Sequence, residues 1–287
     1  MARKTTKKKS NKRDPERDAR NKRIAIVSAV LIGAAGVFIG GSMGIGKLDE
    51  QAASFVAPGD LPIVIHWPMT PAGESWMPIQ EREQIQLLLN RAVDGGTALS
   101  VSPLKEAGLA LAGTGWINAL PTVNWNAAGE IEVHADWRIP AAAVRVGNRE
   151  IIIDWDRHVL PLDYGIGESL QFYFVNADAN LPAIGKQWVG MDLQDGIELL
   201  RLLQTSNLLE QIEGCDLGQG ENSGIIEIIT NSNSRIVWGA GPGKERPGEK
   251  SAGIKIDRLR ALQDSTSRID GRYNFVDISG ADITVDD

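Results

Sequence analysis

Residues 24–46, IAIVSAVLIGAAGVFIGGSMGIG, run for twenty-three positions without a charge. As a helix this stretch reaches about 34 Å, enough to cross a hydrocarbon core of roughly 30 Å. The 23 residues before it carry eleven Lys or Arg and three Asp or Glu, a net +8. The whole chain is −7, which leaves −15 for residues 47–287. A basic head, a neutral span and an acidic body predict a tail (1–23), a transmembrane helix (24–46), a linker (47–60) and an exported remainder. The apolar part of a cleaved signal is shorter, about 7–15 residues, and no A-x-A site follows at Lys47-Leu48-Asp49-Glu50, so the span is expected to be retained. The basic excess on its N-terminal side places that end in the cytoplasm.

The head has no aromatic residue for base stacking, so it reads as a tail against anionic lipid headgroups and not as a nucleic-acid site. Gly36, Gly40 and Gly44 lie four apart and would form one stripe on the span, a surface against which another helix can pack closely. The single cysteine, Cys215, cannot form an internal disulfide. The exported part must therefore be held by its cores, for which eight Trp and a 43% hydrophobic content are ample.

Periodicity organises the rest. An apolar run, LPIVIHWP (61–68), precedes a helix over 79–93 with Ile85, Leu88, Leu89, Ala92 and Val93 at helical spacing. A second helix is expected over 102–113, with Ser102 as N-cap and Pro103 in its first turn. Strands at 120–126 and 130–137 follow. In the second, Ile131, Val133, Ala135 and Trp137 face one way and Glu130, Glu132, His134 and Asp136 the other. Strand, helix, helix, strand, strand suggests a small α+β sandwich. From 141 the texture changes to strands at 141–148, 149–155 and 159–163, a helix at 191–209, a hairpin at 224–239, a helix at 251–265 and a closing strand at 273–285. This reads as a second domain, a sheet with helices on one side.

The stretch IIIDWDRHVLPLD (151–163) gathers Asp154, Asp156, Arg157, His158 and Asp163. Carboxylates two apart on a strand lie roughly 6.5–7 Å apart, a separation inverting glycosidases use. A hairpin turn accounts for the same residues, because it takes Arg157 and His158 off the face of Asp154. Three further matches are read as coincidence. GGSMG (40–44) lacks the strand and helix of a nucleophile elbow, SPLK (102–105) lacks its companion motifs, and GKERPGEKS (243–251) has Glu249 where a phosphate loop cannot take an acid. His66, His134 and His158 stand in separate elements without ligand spacing, so no metal and no cofactor is expected.

The order of parts resembles the bacterial division proteins FtsQ and DivIB. GTGWINALPTVNWNAAGEIEVHADWRIPAAAVR (113–145) is similar to the end of that family's POTRA domain, with Trp137 where the family has Glu before Arg-x-Pro-x-Ala. IIIDWDRHVLP (151–161) resembles the hairpin that follows, normally hydrophobic-Asp-x-x-Gly-x-hydrophobic-x-Pro. Its turn glycine is missing, and Asp156-Arg157 occupy the turn. RIVWG (235–239), KIDRLRAL (255–262) and YNFVDIS (273–279) resemble later strands and the last helix. The resemblance implies a POTRA domain of β-α-α-β-β order over 61–145 and a β domain over 146–287. It also implies a non-enzymatic, single-pass scaffold of the division complex in the inner membrane, at the septum. Partners would be of the FtsB/DivIC and FtsL type, met by strand addition and by helix packing. A POTRA-bearing envelope-assembly or secretion component, or a membrane-anchored envelope hydrolase, are the alternatives.

The partner strand is expected at the end of the chain. Tyr273, Phe275, Val276, Asp277, Ile278, Ser279 and Ile283 lie in a stretch with neither Lys nor Pro between 273 and 285. An uncovered edge is normally blunted by such residues or by a bulge, so this one is read as open to strand addition.

Overall fold

The computed structural model describes residues 62–94, 101–177, 180–218 and 223–286. The tail, the 24–46 span with Gly36, Gly40 and Gly44, and the 47–60 linker lie outside the described residues.

The first part of the body, residues 63–134, is a three-stranded sheet with two helices. β1 (Ile63–Ile65), α1 (Ile79–Val93), α2 (Val101–Ala112), β2 (Thr122–Trp125) and β3 (Ile131–His134) follow in chain order. β3 is central, parallel to β1 and antiparallel to β2. α1 buries Ile85, Leu89 and Val93, and α2 buries Ala107 and Leu111, the inward stripes of two amphipathic helices. Ser102 is already helical and its hydroxyl donates to Glu106, 3.1 Å away, so it does not cap α2.

The rest of the body is one nine-stranded sheet. Its elements are β4 (Pro140–Val146), β5 (Arg149–Asp154), β6 (Val159–Gly165), β7 (Tyr173–Val175), α3 (Met191–Thr205), β8 (Ile212–Asp216), β9 (Ile226–Thr230), β10 (Arg235–Gly239), α4 (Ala252–Thr266), β11 (Phe275–Asp277) and β12 (Thr284–Asp286). The strand order is β12-β11-β10-β9-β8-β7-β4-β5-β6. β4 runs across residue 145, the expected domain boundary, and belongs to this sheet.

This architecture corrects the expected fold class. The described residues are mixed α/β around a large nine-stranded sheet, not α+β with a sheet that carries helices on one side. Among the described residues there are four α-helices, and none is long and apolar enough to cross a membrane. The physical reason lies in the pairing. β7 is parallel to β8, and β10 to β11, so α3 and α4 are the crossovers that parallel neighbours require. Element order alone does not reveal such pairing.

Both faces of the sheet are apolar where β4, β5 and β6 run. Ala142, Val144, Ile151, Ile153 and Val159 pack with α3 and α4 residues such as Leu193, Ile197 and Leu259. Ala143, Ile152 and Leu160 join the other core, which holds Ile85, Leu89, Leu111, Trp116 and Val133 from the three-stranded part of the body. Strands buried on both faces read as unbroken apolar runs, as AAAV and III do here. α3 approaches β7 closely at Gly196, where an added Cβ would lie 2.7 Å from the Phe174 ring.

Candidate functional site

Two groups of titratable side chains differ in kind. The first is the one the sequence singled out. Asp154 ends β5 and is buried. Its Oδ1 accepts the backbone N–H groups of Asp156 and His158, each at 2.8 Å. Its Oδ2 takes the Arg138 guanidinium at 2.6 Å, and His158 Nδ1 lies 3.2 Å away. Arg138, itself buried, also donates through Nε to the Ile117 carbonyl at 3.1 Å. The cluster therefore ties the β5–β6 turn to the loop after α2. Arg157 occupies the position where the FtsQ-like pattern has glycine and takes a left-handed φ of 66°. Asp156 points to solvent and Asp163 pairs with Arg149, so the five polar groups of the stretch do not converge. Asp270 makes a second joint of this type. It is buried and receives hydrogen bonds from Arg268, Ser232 and the Arg272 N–H, linking the β9–β10 turn to the segment after α4. Burial pushes its carboxyl up, but these donors outweigh burial and hold it well below the usual carboxylate range.

The second group was not found by sequence reasoning. β1 and β3 run parallel with Ile65 beside Val133, so the next position sets His66 beside His134. Ile65, Ile131 and Val133 turn inward, and Val64, His66, Glu132 and His134 turn outward. His66 Nε2 lies 2.8 Å from Glu132 Oε1, and His134 Nε2 lies 3.5 Å from the same oxygen. The two imidazoles stack at 4.0 Å with planes 13° apart. All three ligand atoms fall within 4.8 Å of one another. The His66 backbone is held at both ends: its N–H donates to the Val133 carbonyl at 3.0 Å and its carbonyl accepts the Trp137 indole N–H at 2.8 Å. The hydrogen bond with His66, then the nearby His134, holds the Glu132 carboxyl below its ordinary value, while desolvation opposes them. His66 and His134 belong to separate elements without ligand spacing in the sequence, and the parallel pairing of β1 with β3 is what brings them together. The outward alternation of Glu132 and His134 was legible, but its partner stood 66 residues away in the sequence from Glu132.

The closing segment is two strands, not one. β11 lies between β10, to which it is parallel, and β12, to which it is antiparallel. Val276 and Ile278 are fully buried, and the Ile278 N–H donates to the Val237 carbonyl. Phe275 is partly exposed, Tyr273 half-buried, and Asp277 accepts from the Ser279 N–H and hydroxyl. The turn between the strands is tied to α4 by Arg258, which donates to the carbonyls of Ile278, Gly280 and Ala281. The sheet edge is therefore β12, with Ile283 just before it; Ile283, Val285 and the whole of β12 are exposed. Of the residues expected to pair with a partner, Phe275, Val276 and Asp277 sit inside the sheet, Tyr273, Ile278 and Ser279 flank that strand, and only Ile283 adjoins the edge strand.

No protein-family model matches this chain, and no curated protein matches it.

Proposed function

We propose that the chain is a non-catalytic scaffold of a bacterial division complex, held at the cytoplasmic membrane with residues 47–287 outside the cytoplasm, at the septum. Its docking element is the β12 edge, and its partner supplies an extended segment of an FtsB/DivIC- or FtsL-type protein. Two things support this reading. One is the FtsQ/DivIB-like order of motifs along the chain. The other, which carries it, is the β12 edge. Thr284, Val285 and Asp286 are exposed and carry neither Lys nor Pro, and one side of an edge strand has main-chain N–H and C=O groups free of ladder partners. Strand addition there would take affinity from main-chain hydrogen bonds and specificity from alternate side chains such as Val285.

The test is a photo-crosslinking residue at Val285 in dividing cells, with the same residue at Leu170 on a remote exposed loop. Crosslinks from position 285 to a division protein of the stated types, absent from position 170, are expected, together with septal fluorescence of the tagged chain. Crosslinks to an envelope-assembly component with uniform peripheral fluorescence would replace the reading. A proline at Ile278, the obvious alternative test from sequence, would break the bond to Val237 inside the sheet and report on folding instead.

A further inference from the structure

We propose that His66, Glu132 and His134 form a binding site for a borderline transition-metal dication of the zinc type. The proposal stands apart from the scaffold reading and rests on the donor set and its placement. Two imidazoles and one carboxylate suit Zn(II) and its neighbours and do not suit Mg(II) or Ca(II), which take oxygen ligands. Three protein donors leave the fourth position of a tetrahedral ion open, to water or to a side chain from another molecule.

The distances are close to those a metal needs. With bonds near 2.0–2.1 Å, donors around a tetrahedral ion stand about 3.3 Å apart. His134 Nε2 to Glu132 Oε1 is 3.5 Å, and His66 Nε2 to the same oxygen is 2.8 Å. The first pair already fits and the second opens by about half an ångström. The stacked rings send their lone pairs side by side, so each must turn about its Cβ–Cγ bond to converge on one ion. Side-chain exposures of 48% for His66 and 50% for His134 leave room for that turn. The main chain beneath them does not have to move. Glu132 and His134 are two apart on the central strand, and the His66 backbone is clamped by Val133 and Trp137. The register sets the polar Asn124 opposite Glu132 and Thr122 opposite His134 on the β2 side, and Val64 beside Glu132 on the β1 side.

The chain has three histidines, which makes the experiment discriminating. The full-length chain, without an oligohistidine tag, is titrated with Co(II) in the visible region and with Zn(II) and Mg(II) by calorimetry. One Zn(II) per chain is expected, with the d–d absorption of four-coordinate Co(II) and no heat from Mg(II). His66→Ala, His134→Ala and the near-isosteric Glu132→Gln should each weaken Zn(II) binding at least about tenfold, no less than the loss of an outer-shell partner does at established sites. His158→Gln should leave it unchanged. Each variant's circular dichroism should match the parent. The proposal is overturned if no Co(II) spectrum and no Zn(II) heat appear. It is equally overturned if Zn(II) binding persists in folded His66→Ala and His134→Ala chains.

Discussion

The Asp154 cluster and the Glu132 cluster contain nearly the same chemistry and are built for different ends. Each sets a carboxylate beside histidine, and Asp154 adds an arginine. At Asp154 the carboxylate is buried, both oxygens are taken, and two of its partners are backbone N–H groups of its own turn. Its bonds close its own turn and, through Arg138, join that turn to the loop after α2. Glu132 stands on an outward sheet face with two half-exposed imidazoles whose remaining capacity faces solvent. The density of polar residues in the sequence pointed to the first. What separates joint from site is burial and the saturation of lone pairs, and neither is a property of the local sequence.

Perturbing the joint should give the largest effects. Asp154→Ala leaves the Arg138 guanidinium buried without its counter-charge, a change that costs about 3–5 kcal/mol. The measurement is the denaturant midpoint of unfolding. Ile153→Ala, which empties a fully buried neighbouring position, should cost about 2–5 kcal/mol. The two rank together because the carboxylate closes the turn as well as the ion pair. A loss under about 1 kcal/mol in Asp154→Ala would place the cluster outside the structural class.

Acid should act next, at the Asp270 joint. Its carboxyl is depressed in the folded chain. The stability it contributes is fully present above the unfolded value, near pH 4, and is lost as pH falls below that toward the folded value. Asp270→Asn should flatten the fall of the unfolding midpoint below about pH 4 while leaving the slope near pH 7 unchanged.

A smaller effect of opposite sign is expected at Arg157. A non-glycine residue at φ 66° is strained, and glycine is not. Arg157→Gly would restore the residue that the FtsQ-like hairpin carries. It should raise stability by up to about 1 kcal/mol in the same assay, the relief of strain being offset in part by glycine's greater entropy when unfolded.

The elements themselves were largely legible. Ile85, Leu89 and Val93 marked the buried stripe of α1, and the runs over 141–148 and 149–155 marked two strands, though not that both of their faces are buried. Several short strands were not. β7 (Tyr173–Val175) and β12 (Thr284–Asp286) have three residues each, and β8 carries Gly214 in its middle, where an added Cβ would meet the Tyr173 carbonyl at 2.3 Å. That close approach is a requirement of the β7–β8 pairing, invisible without it. Pairing is also what hid the second cluster. His66 meets His134 only because β3 takes the middle of its sheet, parallel to β1, a choice that no residue of either strand announces. The same blind spot merged β11 and β12 into one closing strand over 273–285, of which β12 forms the sheet edge.

The contrast between joint and site is tested most directly by one thermal-unfolding experiment on the full-length parent, Asp154→Ala and His134→Ala chains, each with and without Zn(II). Asp154→Ala should melt at least about 6 °C lower than the parent, given about 2–4 °C per kcal/mol for a body of this size. It should keep a zinc-dependent rise in midpoint, which for the parent is about 2.7 kcal/mol of added stability at a hundredfold excess over Kd. His134→Ala should melt within a degree or two of the parent, as half-exposed substitutions do, and should lose the zinc-dependent rise. A parent chain whose midpoint zinc leaves unmoved, or a His134→Ala chain that falls as far as Asp154→Ala, would contradict the account.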